Sequence, residues 1–343
     1  MNLNPSEEEA AAAEAFGTML TGACPLSRVR AAEPLGFDAD LWLSMIELGA
    51  LDLAAPTPDG ASLAALGVIA EQVGRHLAPV PMVDAMVVAR LLARCPGSDA
   101  QALLTRMGKG GVVGLASGDL AGGRAYVSSG AVATAVIGKV RDELRVWDLA
   151  DERLALLENL GAMPLAEVGL AELDRFPAAV LAAGREVERH LGIARTEWQL
   201  LTAHALYGAG AQALRIGLEY TMQREQFERK IASFQAVQHR FADAATELRG
   251  AQLLAYKSAW AAENTEDGAR LAALALLCAG REAFRAASEA LHFHGGYGFT
   301  LEYAIQLYFR RIRSWSLARE PQPTTIALAA DLIAAACGRD QPA

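Results

Sequence analysis

From about residue 185 to the C-terminus the apolar residues keep a helical period, and one short charged segment interrupts it. Leu201, Leu206, Leu214, Leu218 and Met222 recur at spacings of four, five or eight; Phe241, Leu248, Leu253 and Tyr256 resume the pattern. The spacing predicts helices at 188–224, 234–262, 267–293, 301–314 and 322–338, four of which form a bundle. The interruption, Glu225 to Ser233, holds neither Gly nor Pro; Arg224, Arg229 and Lys230 alternate with Glu225 and Glu228. Two readings follow. It is a solvated helix–helix turn anchored in the core by Phe227 and Phe234, or it is a binding turn. A binding turn would offer the Arg224 guanidinium to phosphate oxygens, with amides of Gln226 and Gln235 beside it.

The N-terminal third is also helical. Ser6 reads as an N-cap, followed by Glu7, Glu8 and Glu9 in a first turn where the helix dipole favours acid. Further helices are expected at 39–49, closed by Gly49, and at 61–76 and 82–94, with a short one after Gly97; Pro56, Pro58, Asp59 and Gly60 make a loop. Near residue 110 the texture changes to short Val- and Ile-rich pieces at Val112–Ala116, Ala125–Ser129, Val132–Val140 and Leu144–Leu149, spaced as in a small barrel or sandwich. Leu154–Leu160 and Glu167–Leu173 would continue it, and Ser117-Gly118-Asp119 reads as a plain turn.

Several function classes drop out. A net charge of −9 disfavours nucleic acid and anionic membrane surfaces as partners. No apolar run approaches a membrane span, and the N-terminus lacks the pattern of a signal peptide, so a cytoplasmic location is expected. The four cysteines are far apart, and neither they nor the six histidines show metal-ligand spacing, so no metal site is expected. Gly208 to Ala213 matches GxGxxA but lies within a helical pattern. It reads as small residues that let helices approach closely rather than as a dinucleotide fingerprint.

Two segments carry a resemblance. Tyr220, Arg224, Phe227, Ile231, Phe234, Gln235, Gln238, His239, Ala242 and Asp243 resemble a signature of the acyl-CoA dehydrogenases, and ALHFHGGYGFTLEYAIQLYFR at Ala290 to Arg310 resembles a second one. The resemblance implies a mainly α fold with a small β-domain: an N-terminal helical domain at 1–109, a shortened β-domain at 110–186 and a C-terminal four-helix bundle at 187–343. It implies FAD as cofactor, an acyl-CoA substrate and α,β-dehydrogenation of the thioester, with electron-transfer flavoprotein as acceptor. The cofactor contacts it implies are Arg224, Gln226, Phe227, Ile231, Phe234, Gln235, His292, Gly295 and Gly296. In the family these segments touch a flavin nucleotide held mostly by a neighbouring subunit, and the N-terminal helices cover part of the acyl pocket.

The sequence also departs from the pattern. His292 replaces the usual Gln, Glu228 a Gly, Lys230 a Pro and Arg311 an Asp, and the flavin-shielding stretches of the β-domain are not recognisable. The reaction needs a carboxylate base. Counting from Arg310, the loop position for that base falls on Arg319, beside Glu320; counting back from Arg224, the helix position falls on Trp198, beside Glu197. One helical residue rotates a side chain by about 100°, so Glu197 should face elsewhere, and Glu320 is the catalytic candidate. The resemblance is to the smaller, partner-dependent subunit of heterotetrameric (α2β2) actinobacterial enzymes, whose full-length partner carries the base, with lipid or steroid side-chain degradation as the setting. The alternatives are a self-sufficient homotetramer using Glu320, or a helical assembly protein that has lost the cofactor.

Overall fold

The structure is a computed structural model that describes residues 6–55, 61–150, 152–318, 325–327, 329–330 and 334. The predicted loop at 56–60, most of the last helix, and Arg319, Glu320, Pro321 and Pro323 lie outside the described residues.

Seven helices come first: α1 (Glu7–Ala23), α2 (Leu26–Ala31), α3 (Ala39–Glu47), α4 (Ala50–Ala54), α5 (Leu63–His76), α6 (Met82–Arg94) and α7 (Ser98–Gly108). Ser6 closes a capping box on α1: its hydroxyl accepts from the Glu9 amide, and its own amide donates to the Glu9 carboxylate at 3.0 Å. Gly49, at φ +88, turns the chain between α3 and α4. The short α2 and α4 have too few residues to show a period and were not expected. Trp42 donates from its indole nitrogen to the Gly110 carbonyl at 2.8 Å, fastening the helices to the start of the sheet.

The strands are β1 (Val113–Asp119), β2 (Ala125–Val127), β3 (Ala135–Val140), β4 (Glu143–Asp148), β5 (Ala166–Val168) and β6 (Ala178–Ala183), with α8 (Leu170–Leu173) before β6. They form one mixed sheet in the order β5-β2-β1-β3-β4-β6, where β1 and β3 run parallel and the other pairs antiparallel. Leu115, Ile137 and Val146 face the main helical core, while Val136 and Trp147 face a smaller core with Leu149, Leu154 and Leu173. Three expectations are corrected. Residues 154–159 form no strand, although Leu154 is buried. The expected strand at Glu167–Leu173 divides into β5 and α8. Ser117-Gly118-Asp119 is the irregular end of β1, where the register to β3 shifts and Gly118 takes φ +76.

The remaining chain is α9 (Arg185–Gln223), a two-stranded hairpin of β7 (Glu225–Gln226) and β8 (Arg229–Lys230), then α10 (Gln235–Asn264), α11 (Gly268–His294) and α12 (Ile305–Trp315). Helix α9, roughly 59 Å long, packs on α11, α10 and α12 and also on α5 and α6. Every residue from Glu197 to Leu206 is buried, so this stretch is enclosed on all sides. Small residues allow that. A Cβ on Gly208 would stand 2.0 Å from the Glu71 carbonyl oxygen of α5, and one on Gly210 would stand 2.8 Å from Ala283 of α11. Among the described residues, no helix is long and apolar enough to cross a membrane.

Candidate functional site

The charged interruption folds as a tight hairpin. Arg224 ends α9, and its carbonyl accepts from the Ile231 amide at 2.9 Å, closing the loop. Phe227 and Glu228 occupy the two central positions at φ +53 and +59, as a type I′-like turn demands. Neither is Gly, so the turn carries backbone strain. Lys230 reaches the Glu225 carboxylate at 2.6 Å.

Phe227 is not a core anchor. It is 85% exposed, meeting the half-buried Phe234 edge-on at 6.4 Å. A turn with left-handed central residues points its side chains outward, which is why an apolar residue here reaches solvent.

The second signature segment lies against the first. The Arg224 guanidinium sits 5.8 Å from the centre of the Tyr297 ring. His294 is buried, stacks on Tyr220 at 4.0 Å, and shares a 2.7 Å hydrogen bond with the Ala290 carbonyl; burial lowers its pKa. Its role is to hold the loop onto α9. His292, two residues earlier, faces solvent beside Phe293. Gly295 takes φ +62, and both Gly295 and Gly296 have open space at their α-carbons. Arg224, Gln226, Phe227, Gln235, His292, Gly295 and Gly296 are all exposed, whereas Ile231 and Phe234 are half-buried.

A separate cavity lies where the three parts of the chain meet. The N-terminal helices contribute Val80, Met82 and Asp84; the sheet region contributes Ser128 and Met163; α9 contributes Trp198 and Thr202; α12 and the residues after it contribute Arg311, Trp315 and Ala318. The helix position counted for a base points here, since Trp198 is a wall. None of the nine cofactor-contact candidates lines this cavity.

Glu197 does face away from it. Its carboxylate accepts from Arg90 at 2.8 Å and also from Arg94, with its side chain only 3% exposed. Asp84 is the one carboxylate on the described cavity wall, and the Ser128 hydroxyl donates to it at 2.8 Å. Neither arrangement was foreseen. Arg90 and Arg94, one turn apart on α6, share one helix face and are the one sequence cue to a common acidic partner. Asp84 and Ser128 are far apart in sequence and carry no such signal.

Comparison with known proteins matches residues 196–319 to the acyl-CoA dehydrogenase C-terminal domain. The acyl-CoA dehydrogenase IpdE2 of Mycobacterium tuberculosis is 30% identical over 319 residues, covering 90% of this chain and 92% of that protein. Acyl-CoA dehydrogenase FadE27 of the same organism is 30% identical over 80% of this chain and 82% of its own length. A variant of the Tcur3481-Tcur3483 steroid ACAD superposes with a TM-score of 0.81 at 25% identity, over 97% of this chain and 99% of that one. The ChsE4-ChsE5 complex from Mycobacterium tuberculosis shares the fold, with a TM-score of 0.78 at 22% identity over the full length of both chains. The identity to IpdE2 spans the helices, the sheet and both signature segments, and on it this chain belongs to the acyl-CoA dehydrogenase family.

Proposed function

We propose that this chain is the smaller subunit of a two-subunit, FAD-dependent acyl-CoA dehydrogenase that acts on acyl thioesters in lipid or steroid degradation. Its three parts, 1–109, 110–186 and 187–343, enclose the cavity, and the acyl group that reacts is held beside the base that the partner carries. The observation that carries the reading is a separation. Seven of the nine cofactor-contact candidates are exposed, while the cavity holds Trp198 where a helix-borne base would stand and Glu197 is committed to two arginines.

The outward-facing residues fit the nucleotide end of FAD held across a subunit boundary. Arg224 offers a guanidinium to a diphosphate, Gly295 and Gly296 offer open backbone, and Phe227 offers an exposed ring. FAD, when bound, would supply the acceptor for the hydride that leaves the β-carbon of the thioester. The base that takes the α-proton comes from the partner. Electron-transfer flavoprotein is the proposed acceptor. Two of the solved relatives bear paired names, ChsE4-ChsE5 and Tcur3481-Tcur3483, which supports a two-chain arrangement here.

The test is the visible spectrum of the chain purified alone and with the protein encoded beside it. The expected result is no flavin alone, and in the complex one flavin per pair of chains, bleached by an acyl-CoA. A flavin-loaded, active homo-oligomer of this chain alone would overturn the reading. Glu320 would then be the base, and Glu320→Gln should lower turnover by about 10²–10⁴-fold with flavin retained.

A further inference from the structure

A groove of about 670 Å³ lies between α1 and α9, with α5 packed on both of them. Its shape begins in the sequence of α1. Ala13, Gly17 and Thr21 follow at steps of four, so the helix face that lines the groove carries small side chains. A Cβ on Gly17 would stand 3.2 Å from the Gln72 side-chain oxygen of α5, so the two helices meet closely there. The His76 ring joins them: Nδ1 donates to the Gln72 carbonyl at 3.0 Å, and Nε2 lies 3.3 Å from the Thr21 hydroxyl. No residue of this groove lines the cavity or is a cofactor-contact candidate.

Two arginines line the groove with donors to spare. The Arg75 guanidinium donates no hydrogen bond among the described residues, and its nearest acid, Glu71, stands at 3.7 Å, too far for one. Its Nε is buried while the side chain is 42% exposed, so the terminal nitrogens are what a ligand can reach. Arg215 donates from Nε to Gln212 at 3.1 Å and pairs with Glu219 through Nη1, which leaves Nη2. Both charges reach the Tyr308 phenol on the same wall: burial raises its pKa, and Arg215 and Arg75 oppose the rise. Glu14 is the one carboxylate on the described wall; Gln72, Gln212 and Thr18 add neutral polar groups.

Two guanidinium forks suit a phosphate monoester, whose charge is about −2 near pH 7. The groove is large enough for more than that group. A nucleobase finds little to stack on, because Tyr308 is buried and His76 is held at both ring nitrogens. Amides and hydroxyls suit the hydroxyls of a polyol.

We propose that the groove binds a phosphorylated polyol, with Arg75 and Arg215 on the phosphoryl oxygens and Gln72, Gln212 and Thr18 on the hydroxyls. The site is independent of the dehydrogenase reading.

The test is isothermal titration calorimetry of the complex of this chain with its partner, using glucose 6-phosphate, glucose, inorganic phosphate and AMP. Glucose 6-phosphate should bind once per copy of this chain, at least about tenfold more tightly than each of the others. Arg75→Gln and Arg215→Gln should each weaken it about tenfold or more. Arg215 is an exposed surface residue, so Arg215→Gln decides the matter if Arg75→Gln lowers the melting temperature. Absence of binding, or binding unchanged in Arg215→Gln, would overturn the proposal. Inorganic phosphate or AMP binding as tightly as glucose 6-phosphate would overturn the polyol assignment and with it the proposal.

Discussion

Glu197 and Trp198 are neighbours in sequence and face opposite ways, one into a pair of arginines and the other into the cavity. The 100° step of the helix predicts that divergence; it does not predict what each side chain meets. Removing the carboxylate charge leaves the half-buried Arg90 and Arg94 without their anion. Glu197→Gln should therefore lower stability by about 3–5 kcal/mol in urea unfolding. A catalytic Glu197 would behave differently, losing turnover with stability intact. His204 makes a second test. It is fully buried on α9, edge-on to Tyr256, and burial lowers its pKa from 6.5 to about 4. The unfolded chain takes up a proton between those values while the folded chain does not, so stability falls as pH drops from 6.5 to 4. The loss should be about 3 kcal/mol. Unfolding of His204→Leu across that range should lack this share of the pH slope.

Helix α9 was legible as an element, and its environment was not. Its apolar spacing marks a helix, but the burial from Glu197 to Leu206 comes from neighbours far along the chain. The glycines show the difference. Gly208 lies against the Glu71 carbonyl, whereas Gly192, on the same helix, has open space at its α-carbon. Gly208→Ala should destabilise the protein by about 1–3 kcal/mol, because α5 and α9 must part. Gly192→Ala should be neutral or should stabilise by up to about 1 kcal/mol, because only helix propensity changes. Thermal or urea unfolding of the pair separates close packing from propensity. The hairpin resisted reading for another reason. Left-handed turns are recognised by Gly or Asn, and Phe227-Glu228 offers neither.

In the whole molecule, Phe227, Tyr297, Phe299 and Leu301 are all exposed, the last at 77%. They lie within the two signature segments, where the proposed partner subunit would cover them. Leu301→Asp with Phe299→Asp should weaken association with the partner at least tenfold in sedimentation, leaving circular dichroism unchanged. Dissociation together with lost helicity would assign the two residues to folding instead. The order of helices, sheet and helices was determined by the sequence itself, because the helical period, the Val-rich pieces and the glycine stops act over a few residues. So was the family, because its two signature segments are local strings. The cavity was decided only by the tertiary structure. Its walls come from α6, the sheet region, α9 and α12, and no local pattern records which of them will meet. The same holds for Arg311. Its sequence shows a basic residue where the family has an acid, and only the packed fold shows that residue buried with two donors unpaired.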